Sequence, residues 1–175
     1  MSRLQTMLTR GVVVLAAAGR KLQELQLRLM AGEPKGGIEH LEAYGLTAHP
    51  LPGAEALAAF MGGDRSHGVV LVVADRRYRI TGLEAGEVCL YDDIGHRIHL
   101  TRAGIVIDGA GQAITLTNAP EVRMETEVLK VTGDIRDRCD AADGRTMAAM
   151  RDIYNGHDHA ENDSGGPTDE PNQRM

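Results

Sequence analysis

From Glu87 to Val131 the chain alternates apolar and polar residues almost without interruption, and this period of two restricts it to short, one-sided β-strands. The apolar set is Val88, Leu90, Ile98, Leu100, Ile105, Ile107, Ile114, Leu116, Val122, Met124, Leu129 and Val131. Glu87, Arg97, His99, Thr115, Thr117, Arg123, Glu125 and Lys130 lie between or beside them. Turn-forming clusters separate the runs: Asp92-Asp93-Ile94-Gly95, Arg102-Ala103-Gly104, Asp108-Gly109-Ala110-Gly111 and Asn118-Ala119-Pro120. Each run begins roughly eight positions after the last, a weak internal repeat.

Such strands carry about two inward side chains each, too few to offset the ordering of their own backbone. A stack of them also leaves unpaired edges. Two architectures answer this. Several copies can wind about a common axis and share a narrow core, or one chain can fold as a meander or sandwich. The pattern alone leaves both open.

Before this stretch, residues 10–75 read as a small β-barrel. Val12–Ala17 is one candidate strand, and Leu25, Leu27 and Leu29 alternate with Gln26 and Arg28 as a second. Leu22, Leu25 and Leu29 would also suit a helix face. Tyr44–Ala48, before the Pro50, Pro52, Gly53 loop, is a third strand candidate. Ala54–Met61 is ambiguous, because its alanines favour helix. His67–Asp75 (HGVVLVVAD) is a buried strand by its β-branched run. Residues 1–9 are taken as a leader and 76–86, with Arg76, Arg77 and Arg79, as a linker. The run Gly11–Ala18 after Arg3 and Arg10 is short for a signal peptide, and its valines suit a first strand better.

Composition narrows the function. Trp is absent and Phe60 is the sole phenylalanine, so the core is built from Val, Ile, Leu, Ala and Met, which suits something thin. A net charge of −6 without a basic block argues against a nucleic-acid partner. The sequence holds no apolar run of about 18 residues that could cross a membrane as a helix. Cys89 and Cys139 form no CxxC motif and read as free thiols of a protein made in a reducing cytoplasm.

Thr146–Tyr154 reads as a short helix, with Met147, Met150 and Tyr154 on one side. His157-Asp158-His159 follows. In extended backbone both imidazoles point the same way and could reach one metal ion. Two ligands are too few for a structural site, but three chains would supply six, a count that fits octahedral coordination rather than the tetrahedral zinc site. Imidazole suits Fe, Ni, Cu and Zn alike, so type does not choose among them. Two solvated histidines in a polar tail are the plain alternative. A cupin-like metal enzyme would also use HxH, but Glu161 follows too closely and no histidine comes after His159. Ser66 and His67 are adjacent and cannot act as nucleophile and base. Asp92-Asp93 reads as turn chemistry, and Gly109 with Gly111 precedes no helix that would bind phosphate. No catalytic set is found.

The order of parts resembles the phage Mu central spike family, the baseplate assembly protein V family of Mu-like phages and prophages. The resemblance rests on Thr9-Arg10-Gly11-Val12-Val13, Gly62-Gly63-Asp64-Arg65-Ser66-His67-Gly68-Val69 and Gly86-Glu87-Val88 with Leu90-Tyr91-Asp92-Asp93. It continues through His99-Leu100-Thr101, Tyr154-Asn155-Gly156-His157-Asp158-His159, Pro167-Thr168-Asp169 and Pro171-Asn172-Gln173-Arg174-Met175. It implies an all-β homotrimer: an oligonucleotide/oligosaccharide-binding-type (OB-type) barrel over 10–75 attached to the tail hub and baseplate, then an intertwined triple-stranded β-helix over 87–135. A pointed tip region over 136–175 would follow, with one iron per trimer held by His157 and His159 of each chain. Calcium and chloride inside the spike are further implications, with no residues assignable here. The resemblance implies a non-enzymatic protein at the virion's baseplate tip, assembled in the host cytoplasm, that pierces the host outer membrane during injection. The spike of a phage-tail-like bacteriocin or secretion apparatus would look the same. Residues 133–150 depart from the β pattern.

Overall fold

The computed structural model describes residues 7–30, 32, 34–159 and 165–171. Two compact units result, one ending at Thr115 and the other beginning at Leu116.

The first unit opens with five strands: β1 (Leu8–Ala17), β2 (Gln23–Leu29), β3 (Pro34–His40), β4 (Glu55–Phe60) and β5 (Gly68–Ala74). They close into a barrel in the order β1-β2-β3-β5-β4, with β1 also pairing β4. All pairings are antiparallel except β3 with β5, which meet in parallel through Glu39–Val69 and His40–Val70. Alternation places Val13, Leu25, Leu27, Leu29, Ile38, Ala56, Ala58, Phe60 and Val70 inward, and these form the core with Ala54. Small alanines on β4 leave room for Phe60, which is 1% exposed.

One strand reading of this region is corrected. Tyr44–Ala48 is not a strand but part of the loop after β3, where the Glu42 carboxylate accepts from Thr47 Oγ1 at 3.0 Å and the Ala48 amide at 2.7 Å. The third strand is instead Pro34–His40, whose Pro34, Gly36 and Gly37 read as breakers in sequence. Its β2 pairing shows a register irregularity between Leu25 and Leu27, and Gly37 sits at φ 67°, so the glycines serve an irregular stretch. The Ala54–Met61 ambiguity resolves as strand β4, because burial of every second residue outweighs the helical preference of alanine. Val12–Ala17 and the Leu25–Leu29 strand fall within β1 and β2, and β5 occupies all of His67–Asp75 but its two end residues. Of the stretch read as a leader, residues 1–6 lie outside the described residues, while β1 begins at Leu8.

A three-stranded antiparallel meander completes this unit: β6 (Val88–Tyr91), β7 (Arg97–Leu100) and β8 (Ile105–Asp108), in that order. The second unit carries one isolated bridge, Arg136–Thr146, and helix α1 (Met147–Gly156). No helix among the described residues is long and apolar enough to cross a membrane.

Candidate functional site: an uncovered apolar face and a paired-histidine end

The meander is two-sided. Register aligns Val88, Leu100 and Ile105 in one row and Leu90, Ile98 and Ile107 in the next, so six aliphatic side chains share one face. Each is between 42% and 70% exposed. The other face aligns Cys89 with His99 and Val106, and Tyr91 with Arg97 and Asp108. There Arg97 Nη2 lies 3.0 Å from Asp108 Oδ2. A contiguous uncovered aliphatic face of this kind marks an interaction surface.

Charged side chains lock the turns. Asp92 Oδ1 accepts from the amides of Ile94, Gly95 and His96, and Oδ2 lies 2.6 Å from His96 Nδ1. Burial alone would raise the Asp92 carboxyl, yet the His96 bond and these amides hold it below its ordinary value. Glu87 accepts from the amides of Glu84 and Arg102, and these with His99 at 3.2 Å lower its carboxyl against a smaller burial effect. The turn reading of Asp92-Asp93-Ile94-Gly95 is thus realised by Asp92.

After β8 the alternation continues but the pairing stops. Ile114, Leu116, Val122, Met124, Leu129 and Val131 are all substantially exposed. Among the described residues, none of 113–134 takes part in a backbone–backbone hydrogen bond. A sequence patterned for strands therefore has no ladder within one chain.

In the second unit, residues 135–147 form a narrow return: Asp137 N donates to Arg145 O and Met147 N to Ile135 O. Asp137 also accepts from the Arg145 amide at 3.0 Å, and Arg138 pairs with Asp143 at 2.6 Å. The return delivers α1. Thr146 is its N-cap and accepts from the Ala149 amide at 3.1 Å. Asp134 receives the Ala148 amide at 3.3 Å, and its bond with the Thr146 hydroxyl is the main cause of its lowered carboxyl. The helix anticipated over Thr146–Tyr154 is therefore present, capped by Thr146 itself.

Its end sets the histidine pair. His157 is the C-cap in extended backbone, with φ −80° and ψ 145°. The His157 and His159 rings meet edge to face, with centroids 5.1 Å apart. His157 Nδ1 lies 2.6 Å from the Tyr154 carbonyl. A carbonyl only accepts, so Nδ1 carries the hydrogen, and a neutral ring held this way has its lone pair on Nε2, the tautomer suited to ligation. Among the described residues no group of three or more His, Cys, Asp or Glu could hold a metal ion. The contacts that Tyr154, Asp134 and Thr168 make around the pair escaped the sequence reading: the first two act through a carbonyl and a cap, and the third lies nine residues from its partner His159.

The remaining candidates stay apart from any site. Asp64 Oδ1 takes the Ser66 amide and hydroxyl in a local turn, and Cys89 and Cys139 are free thiols. Gly109 and Gly111 flank Ala110, whose φ of 50° marks a tight turn.

A closed five-stranded barrel followed by a three-stranded meander defines a β-rich protein, and comparison with known proteins specifies its family. Residues 10–77 match the family described as Bacteriophage Mu Gp45, N-terminal. The chain is 41% identical over 135 residues to the baseplate puncturing device gp45 of Escherichia phage Mu, covering 77% of this chain and 68% of that one. It is 39% identical over 104 residues to the Mu-like prophage FluMu protein gp45 of Haemophilus influenzae, covering 59% and 57%. The chain belongs to the Mu Gp45 family of baseplate proteins.

Proposed function

We propose that this chain is the central spike of a contractile tail and works as a homotrimer. Its family role is structural, in the baseplate, rather than enzymatic. That sets aside the cupin-like enzyme.

One observation carries the trimeric reading. Residues 113–134 keep a strand pattern without a backbone ladder, next to a meander with an uncovered aliphatic face. Backbone groups that will be buried must find partners. Neighbouring copies would supply them, and would cover Val88, Leu90, Ile98, Leu100, Ile105 and Ile107 in the same step. In this reading residues 87–135 wind into a triple-stranded β-helix. The barrel over 10–75 is of OB type, which its 1-2-3-5-4 closed order supports, and attaches to the hub. The segment 76–86 links the two, and 136–175 forms the tip.

Three chains bring six imidazoles from His157 and His159 together, and we assign them one iron per trimer. The donor set fits: two rings 5.1 Å apart, one already in the tautomer that presents Nε2. When bound, the ion would cross-link three chain ends that otherwise fray. Calcium and chloride remain further proposed occupants without named ligands. The spike would receive thrust from the sheath and deliver it to the host outer membrane through a narrow point. Interchain ladders resist buckling because bending must break many hydrogen bonds together. The same device would serve a bacteriocin or secretion apparatus, and capsid and portal genes beside its own would mark a phage.

Sedimentation of the full chain with metal analysis tests this. A trimer with one iron per three chains is expected, and His157→Ala with His159→Ala should abolish the iron while leaving the trimer. A folded monomer in dilute solution refutes the shared core, and one metal per chain refutes the six-histidine clamp.

A further inference from the structure

Beyond the two histidines, the tail bends back on the pair. The His159 amide donates to Thr168 Oγ1 at 2.8 Å, and the Thr168 amide donates to the His159 carbonyl at 2.9 Å. Two hydrogen bonds in opposite directions fix both the position and the orientation of the His159 backbone. His157 is fixed differently, from α1, through its ring bond to the Tyr154 carbonyl and a ring-to-ring distance of 5.5 Å to Tyr154.

We propose that Thr168 is a positioning residue for the metal site, holding His159 so that its ring faces the same point as that of His157. This rests on the reading of His157 and His159 as ligands. The physical need is specific. A ring on an unpinned backbone samples many directions, and ordering it at the moment of binding costs affinity. His157 is ordered by the helix end, whereas His159 lies two residues beyond it with exposed surroundings. The Thr168 hydroxyl supplies its missing anchor and acts as an outer-shell group, through backbone rather than ring.

The discriminating variants are Thr168→Val, which keeps the shape and removes the accepting oxygen, and Thr168→Ser, which keeps the oxygen. Full-length protein is stripped with a chelator and titrated with ferrous iron, and with cobalt(II) as a probe whose visible absorption reports coordination. Loss of groups bonded directly to a ligand's ring weakens metal binding about 10–100-fold, which sets the upper limit for an anchor acting through backbone. Thr168→Val should show a loss up to that limit and an altered cobalt spectrum while sedimenting as the trimer, and Thr168→Ser should restore both. Wild-type iron binding and spectrum in Thr168→Val overturn the inference with the metal site intact. Failure of Thr168→Ser to restore binding also overturns it, since the hydroxyl would then not be the reason. A wild-type protein that binds neither metal refutes the ligand reading itself, a distinct result.

Discussion

A β-carbon added to Gly68 would lie 2.6 Å from Cε1 of Phe60, its register partner across β4 and β5. The ring covers the glycine and fills the barrel because nothing projects from that position. Phe60 is fully buried, so the ring has nowhere to retreat. Gly68→Ala should therefore destabilise the barrel by about 1–3 kcal/mol through overpacking. Phe60→Ala should cost about 3–5 kcal/mol by leaving a cavity. Urea denaturation followed by circular dichroism measures both, and an unchanged midpoint for Gly68→Ala contradicts the packing described.

Acid should loosen the meander. Glu87 and Asp92 are held below their ordinary values of 4.5 and 3.8. The unfolded chain therefore binds protons more readily than the folded one. The stability they contribute is complete above those ordinary values and is lost as pH falls through the lower folded ones. Denaturation midpoints measured from pH 7 downward should decline from about pH 4.5. Glu87→Gln should be less stable at neutral pH and show a shallower acid decline.

The cap on α1 reaches the histidine pair. Thr146→Ala removes the oxygen that receives the Ala149 amide and the hydroxyl that bonds Asp134. A loss of about 1 kcal/mol is expected for such a cap. Hydrogen exchange over residues 147–156 should quicken, and the Tyr154–His157 bond should open with it. Unaltered exchange there would show that the helix is held by something other than its N-terminus.

The aliphatic rows of the meander should be intolerant of charge. Ile98 sits in register between Leu90 and Ile107. Ile98→Asp places a carboxylate in the surface assigned to the neighbouring copies, where an unpaired charge is costly. The variant should sediment as a monomer or aggregate. Arg123→Ala, which removes an exposed partner of Glu125, should leave assembly unchanged.

Legibility followed the physics of periodicity. The strands from Val88 to Asp108 were readable because an aliphatic residue recurs at every second position and Asp or Gly turn chemistry separates the runs. His67–Asp75 was readable from its valines. Pro34–His40 was not, because a strand that bends within a barrel uses the residues that ordinarily end strands. Ala54–Met61 was ambiguous because a narrow barrel wants alanine, whose local preference is helical. The nearness of His157 and His159 followed from spacing, but their fixing by Tyr154 and Thr168 depends on backbone groups that no side-chain pattern announces.

The barrel wall is not equally strong all round. Where β3 meets β5 it is joined through Glu39–Val69 and His40–Val70, whereas β4 grips β5 from Glu55 to Phe60. Tension across the wall would part the staves there first, a hoop failing at its shortest joint.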